Sequence, residues 1–159
     1  MCSPKTYIIA EVGVNHNGDI SIAKDLIQKA KESGADCVKF QTFKASQIVT
    51  KSAPKANYQL KVTDSKESQF EMLKKLELDF EAYLDLIKYC KEIEIDFLST
   101  PYNIEDLNFL ENLGVNSYKI ASGQLTEIPF IKSVAKKGKK ILLSTGMGTL
   151  SDVFDAVEA

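Results

Sequence analysis

The sequence predicts an α/β protein assembled from parallel βαβ units. Short apolar runs alternate with longer amphipathic segments along all 159 residues. No hairpin turn signal joins one run to the next, so each strand is followed by a crossover rather than by its antiparallel partner. A third pattern says where such a protein would work. Nearly every apolar run closes on polar residues: Glu11, then Lys39 and Gln41, Ser99 and Thr100, Lys119 and Ser122, Ser144 and Thr145. In a parallel sheet those ends lie along one edge, and in a barrel they converge on one mouth.

Taken in order, Tyr7-Ile8-Ile9-Ala10-Glu11-Val12 reads as the first strand. Residues 21–33 read as a helix with Ile22, Ala23, Leu26, Ile27 and Ala30 on one face and Gly34 as its stop. Cys37-Val38-Lys39-Phe40-Gln41 is the second strand, and the polar stretch 42–68 reads as a functional loop with little regular structure. Two helices are expected near 69–76 and 80–92, with Asp79 as N-cap of the second. Asp96-Phe97-Leu98-Ser99 is a third strand stopped by Pro101, and 104–113 a helix ending at Gly114. Ser117-Tyr118-Lys119-Ile120 is a fourth strand. Pro129 fits the first turn of a helix running to about Lys137. Ile141-Leu142-Leu143-Ser144 is a fifth strand, and 150–159 begins a further helix. Right-handed crossovers leave two architectures open, a doubly wound sheet or a barrel. The absence of Gly-x-Gly-x-x-Gly after the first strand, and of a P-loop, argues against dinucleotide and NTPase sites.

Bulk properties narrow the function. A net charge of -2 with mixed signs gives no nucleic-acid face and no membrane-surface patch. The basic run 136–140 sits at a helix-to-strand turn, where cations suit a helix C-terminus. Cys2, Cys37 and Cys90 follow no close spacing and would leave one unpaired, which suits a reducing cytosol, so a cytoplasmic protein is expected. His16 is the only histidine, and a metal site with two imidazoles cannot be built from these residues.

Period-two alternation places Lys39 and Gln41 on one face of their strand, opposite Val38 and Phe40, and Ile9 and Glu11 on one face of theirs. A lysine inside a near-buried strand is costly unless something anionic meets it. Lys39 and Lys119, with threonine and serine hydroxyls beside them, therefore point to a phosphate or carboxylate site. The competing reading is a structural network in which both lysines pair with Glu11 or another carboxylate. A Schiff-base lysine is a further option. Asn15-His16-Asn17-Gly18 reads as a βα turn at the same mouth. Ser144-Thr145-Gly146-Met147-Gly148, glycine-rich before a helix, could offer amides to an anion.

Several segments resemble the N-acetylneuraminate (sialic acid) synthase family, including its legionaminic acid synthases. They are Ala10-Glu11-Val12-Gly13-Val14-Asn15-His16-Asn17-Gly18, Val38-Lys39-Phe40-Gln41-Thr42-Phe43, Ala53-Pro54-Lys55-Ala56-Asn57-Tyr58-Gln59 and Lys74-Lys75-Leu76-Glu77-Leu78. Phe97-Leu98-Ser99-Thr100-Pro101, Tyr118-Lys119-Ile120-Ala121-Ser122-Gly123 and Leu143-Ser144-Thr145-Gly146-Met147 continue the series in order. Pseudaminic acid synthases look less similar. The resemblance implies a (β/α)8 TIM-barrel type fold, here truncated after about five βα units. The rest of the barrel and an antifreeze-like domain would be absent. A full barrel needs roughly 250 residues.

The same resemblance implies a reaction. C3 of phosphoenolpyruvate attacks the aldehyde of an open-chain N-acetylated amino sugar, either N-acetylmannosamine or a 2,4-diacetamido trideoxy-mannose. Water then adds at C2 and phosphate leaves, giving a nine-carbon sialic-type acid. A divalent metal, manganese or magnesium, would polarise the aldehyde from ligands outside this chain, and the full-length form would be a homodimer. Carried over by motif, Lys39, Thr100, Lys119, Ser122 and Ser144 would hold phosphoenolpyruvate. Glu11, Gln41 and His16 would be catalytic, with Asn15 and Tyr58 shaping the sugar side. Gln124 stands where many members carry a carboxylate, so it can hydrogen-bond the substrate but cannot act as a base. The chain alone is expected to be inactive or nearly so. The alternative is a non-catalytic half-barrel that binds phosphate or phosphoenolpyruvate.

Overall fold

The computed structural model describes residues 5–55 and 67–159. Among them the strands are β1 (Ile9–Gly13), β2 (Cys37–Thr42), β3 (Asp96–Pro101), β4 (Ser117–Ile120) and β5 (Lys140–Leu143). The helices are α1 (Ile20–Glu32), α2 (Ala45–Ile48), α3 (Gln69–Lys75), α4 (Phe80–Glu92), α5 (Ile104–Asn112), α6 (Ile128–Ala135) and α7 (Leu150–Glu158), with a 3-10 turn at Ser122–Gln124. Cap chemistry sets their starts. Asp19 accepts from Ser21 and Ile22 N–H at α1, and Asp79 from Ala82 N–H at α4. Ser68 with Glu71 and Thr149 with Asp152 form capping boxes at α3 and α7.

The strands form one parallel sheet in the order β1-β2-β3-β4-β5. That order decides between the two architectures left open by the sequence. A doubly wound sheet reverses its strand order at a switch point and carries helices on both faces. Here the order never reverses. The strand residues packed into the helix clusters are Ala10, Val12, Val38, Phe40, Phe97, Tyr118, Ile120, Ile141 and Leu143, and all lie on one face. This is the arrangement of a (β/α) barrel, with helices outside and a second sheet face turned inward.

Aromatic stacking holds the outer layer. Phe40, fully buried, lies between His16 (centroids 5.9 Å) and Phe97 (5.3 Å), while Tyr83 and Phe80 of α4 meet Phe109 of α5. The Thr42 and Ser99 hydroxyls bond each other at 2.7 Å in this layer, and the Tyr83 hydroxyl donates to the Gln41 carbonyl at 2.8 Å. Cys37 and Cys90 are free and buried, and burial pushes their thiols up to about 11 and about 12. Among the described residues no helix is long and apolar enough to cross a membrane.

Three details depart from the sequence reading. Ile22 is 40% exposed, because the buried stripe of α1 is Ala23, Ile27 and Ala30. β3 runs through Pro101 rather than stopping before it. Proline at the last strand position withholds only an amide that the ladder no longer needs. The stretch 42–68 is not all loop: β2 includes Thr42, and α2 follows, with its Ala45 N–H held by the Glu77 carboxylate at 2.7 Å. α7 falls where the sequence places a helix, with Leu150, Phe154 and Val157 exposed.

Gly18 marks where the β1–α1 turn meets α3. Its φ is +77°, and a Cβ there would stand 2.3 Å from the Lys75 carbonyl oxygen. Gly34 has a similar φ of +84°, but a Cβ there would meet nothing within 4 Å. Both substitutions to alanine incur about 1–2 kcal/mol for the left-handed backbone. Gly18→Ala should cost a further 1–3 kcal/mol, roughly, for overpacking. Urea denaturation of the two variants measures that difference, and equal losses would show that the turn and α3 do not touch.

Candidate active site

Register places the predicted polar residues. Glu11 pairs across to Lys39 and Lys39 to Leu98, and Gln41 pairs to Thr100. Ser99 pairs to Tyr118 and Lys119 to Leu142. Strand alternation then puts Glu11, Lys39, Gln41, Thr100, Lys119 and Ser144 on the inner face, opposite the helix-covered one. Ser99 and Thr42, also polar and also near strand ends, turn to the helix side instead.

Lys39 is nearly buried, its side chain 14% exposed, and its ammonium lies 2.7 Å from the half-exposed Glu11 carboxylate. The pairing slips between Glu11 and Gly13, a bulge that ends β1 and aims Glu11 across to β2. Gly13 makes room for this. Its φ is +56°, and a Cβ would stand 2.9 Å from the Glu11 Oε1. The structural pairing that competed with an anion site is therefore real for Lys39.

It does not extend to Lys119. Among the described residues no carboxylate lies within ion-pair range of this ammonium. It donates to the Ile120 carbonyl at 2.6 Å and to the Ser144 hydroxyl. An ammonium has three N–H donors, so one is left over. Burial lowers the Lys119 pKa, the nearby Lys39 charge lowers it further, and Glu11 acts in the opposite sense. The two lysines thus share one electrostatic site with one carboxylate between them. Thr100, buried at 2% exposed, lies beside them in register.

Gln41 faces the same space. Its Oε1 accepts from the Tyr102 hydroxyl at 3.1 Å. Gln124, buried at 4% exposed in the 3-10 turn after β4, donates through Nε2 to the Tyr102 carbonyl at 3.1 Å, and its buried Oε1 has no hydrogen-bond partner. A buried amide oxygen left unmet costs free energy that a ligand N–H or O–H would recover. Ser122 opens that turn and is half-buried.

Among the other predicted residues, His16 is placed on the helix side. His16 is buried in the β1–α1 turn, its Nδ1 accepting from Gly18 N–H at 3.0 Å and its ring against Phe40 on the helix side. Burial lowers its pKa, which keeps the imidazole neutral. Asn15 is exposed in the same turn, and its N–H donates to the Val12 carbonyl. Tyr58 lies outside the described residues. The glycine-rich loop before α7 spends Gly148 N–H on the Thr145 carbonyl, and Thr149 with Asp152 caps the helix behind it. The helix start is met by its own side chains, with a carboxylate where an anion would sit. Among the described residues no three histidine, cysteine or acidic groups cluster into a metal site.

Residues 26–159 match the NeuB family. The chain belongs to that family. It is 52% identical over 153 residues to an N,N'-diacetyllegionaminic acid synthase of Campylobacter jejuni, covering 96% of this chain and 46% of that protein. The corresponding Legionella pneumophila synthase is 45% identical, with 96% and 43% covered. Among solved structures, the N-acetylneuraminic acid synthetase of Leptospira borgpetersenii, crystallised with citrate, superposes with a TM-score of 0.81 at 28% identity, covering 98% of this chain and 50% of that one. The chain spans about half the length of the curated relatives it matches.

Two residues at the site escape the sequence reading. Tyr102 follows Thr100 by two positions, so the same alternation that flags Lys39 and Gln41 extends to it once the strand is allowed to run through Pro101. Asp106, in the first turn of α5, accepts from Tyr102 N–H at 3.2 Å and is only 6% exposed. Burial raises its carboxyl to about 6, helped by the Glu105 charge and opposed by the Tyr102 and Asn103 hydrogen bonds and by Lys44. A carboxyl whose folded pKa is raised disfavours the native state once ionised. Its contribution to stability therefore falls as pH rises from about 4, the unfolded value, through about 6, and stays low above. Asp106→Asn keeps an acceptor for Tyr102 and removes that fall. Thermal melts across roughly pH 4–7 should show wild type losing stability relative to the variant as pH rises. Parallel curves would contradict the buried placement.

Proposed function

We propose that this chain supplies the phosphoenolpyruvate side of a synthase that joins phosphoenolpyruvate to an N-acetylated amino sugar, releasing phosphate. The acceptor is N-acetylmannosamine or a 2,4-diacetamido trideoxy-mannose, and the product a nine-carbon sialic-type acid. The observation that carries this reading is the Lys119 ammonium: partly desolvated, without a carboxylate of its own among the described residues, and one strand pair from Thr100. A dianionic or trianionic ligand meets that unspent donor and the Lys39 charge together.

In this reading Lys39, Lys119, Thr100, Ser122 and Ser144 hold the phosphate and carboxylate of phosphoenolpyruvate. C3 attacks the aldehyde carbon of the open-chain sugar, the new C–C bond forms, and the aldehyde oxygen takes a proton. Water adds at C2, and phosphate departs with the bridging oxygen as the C2 carbonyl forms. Glu11 exchanges its partner Lys39 for the ligand's surroundings and serves sugar hydroxyls or proton movement. Gln41 lies beside the reacting carbons, and Gln124 offers its unpaired Oε1 to a sugar hydroxyl or amide. Asn15 and Tyr58 belong to the sugar side. His16 contributes by shaping the turn that carries Asn15. The divalent metal that the family resemblance implies finds no ligand set among the described residues, so no step here runs through it. The working form is a cytoplasmic homodimer.

One observation favours binding without turnover as a second reading: among the described residues the inner face has cations, hydroxyls and amides but one carboxylate, already paired. Calorimetric titration of the chain with phosphoenolpyruvate tests the shared part. Lys39→Ala and Lys119→Ala should each weaken binding by roughly 10- to 100-fold, the effect of losing a charge-assisted hydrogen bond. No binding by the wild-type chain, or binding indifferent to both substitutions, would sink the anion site. Phosphate release on adding N-acetylmannosamine and manganese assigns turnover to this chain. Binding with no release assigns the second reading.

A further inference from the structure

Tyr102 reaches the site through its hydroxyl, and the way it is held suggests why. Its N–H is anchored to the buried Asp106 carboxylate (3.2 Å), its carbonyl to the Gln124 amide (3.1 Å), and its ring edge packs on Phe43, with centroids 6.0 Å apart at 84°. Backbone and ring are fixed by α5, by the 3-10 turn and by the residue that follows β2. What remains is the hydroxyl, and it meets the Gln41 Oε1 at 3.1 Å.

A glutamine amide can face a ligand with either end, as acceptor or as donor. Here the two ends have unlike neighbours. The Gln41 Nε2 and the Glu11 Oε1 both lie within 4 Å of the point where a Gly13 Cβ would stand, at 3.8 and 2.9 Å. Reversing the amide would bring its carbonyl oxygen, in place of its N–H, toward the point that the Glu11 carboxylate also approaches, which that negative charge disfavours. A phenol hydroxyl can donate or accept, so Tyr102 anchors the amide through Oε1 while the Glu11 charge on the Nε2 side sets which end is which.

We propose that Tyr102 is a positioning residue that fixes the Gln41 amide so that Gln41 meets the ligand with N–H and never with C=O. The partner it selects is an oxygen acceptor, such as a carboxylate or carbonyl oxygen, on the ligand held by Lys39 and Lys119. Gln124 and Asp106 serve the same end one step back, by holding the Tyr102 backbone. The inference rests on the phosphoenolpyruvate reading for the identity of that ligand, but not for the contact itself.

Tyr102→Phe removes the hydroxyl and leaves ring and backbone in place. In the isotope-labelled chain, the Gln41 side-chain carbonyl and NH2 signals should shift in this variant, while those of Gln28, remote from the site, stay put. Affinity for phosphoenolpyruvate, followed in the same samples, should fall roughly three- to tenfold. In a Gln41→Ala background the same substitution should change affinity by less than about twofold, since residues that act through one another are not additive. An unmoved Gln41 signal overturns the proposal, and so does an equal loss of affinity in both backgrounds. If the wild-type chain takes no phosphoenolpyruvate, the functional reading above fails, and the Gln41 signal alone decides for or against Tyr102.

Discussion

Placing two lysines on the inward face of a parallel sheet costs hydration, and the neighbouring polar groups are arranged around that cost. An ammonium cannot be taken from water without a partner. Lys39 finds one in Glu11, and the bulge at Gly13 is what lets a residue from β1 reach across to it. Among the described residues Lys119 receives only neutral acceptors, the Ile120 carbonyl and the Ser144 hydroxyl. Neutral acceptors solvate a cation less well than water or a carboxylate does. Lys119 therefore remains the less satisfied of the two, and the lowering of its pKa by burial and by Lys39 is the same fact in another form. Structural stability alone would favour two matched pairs. The sheet holds one matched pair and one cation with a donor to spare.

That imbalance is tolerable because the opposite face is well made. Phe40 alternates with Lys39 and Gln41, so the strand that presents the charged pair also drives aromatic stacking with His16 and Phe97 into the helix layer. His16 gains meaning from this. Its neutral imidazole ties off Gly18 N–H and rests on Phe40, fixing the turn whose next residues close on α3 at Lys75. A histidine at a catalytic mouth invites an acid–base role, yet its burial on the helix side makes it part of the support under β1 and β2.

Much of the architecture is legible because parallel strands announce themselves twice, by apolar runs and by what separates them. β4 falls at the very residues read from the sequence, and Asp79 caps α4 as expected. Barrel against doubly wound sheet is not decidable from pattern, since both use the same βαβ unit. Strand order and the one-sided helix layer separate them. At the site, period-two alternation finds Lys39 and Gln41 because β2 is regular. The rule that polar strand ends mark the site fails for Ser99, which alternation puts opposite Thr100 on the helix side, and Tyr102 is missed because a proline reads as a strand's end rather than its last residue. Gln124 stands out through a motif alone; that its oxygen is buried and unpartnered depends on a turn that no periodicity predicts.

The composition of the inner face limits what it can do. Ammonium groups, hydroxyls and amides bind and orient anions, but they neither withdraw a proton at neutral pH nor polarise a carbonyl as strongly as a metal ion. The carboxylate on this face is already engaged with Lys39, and freeing it requires another anion to take the lysine. An arriving dianion would do so, because it competes for the same ammonium and brings more charge. On the proposed reading, binding of the anion and release of Glu11 would be one event rather than two. The Glu11–Lys39 pair would then hold the place of the ligand, leaving Glu11 free only when the site is filled.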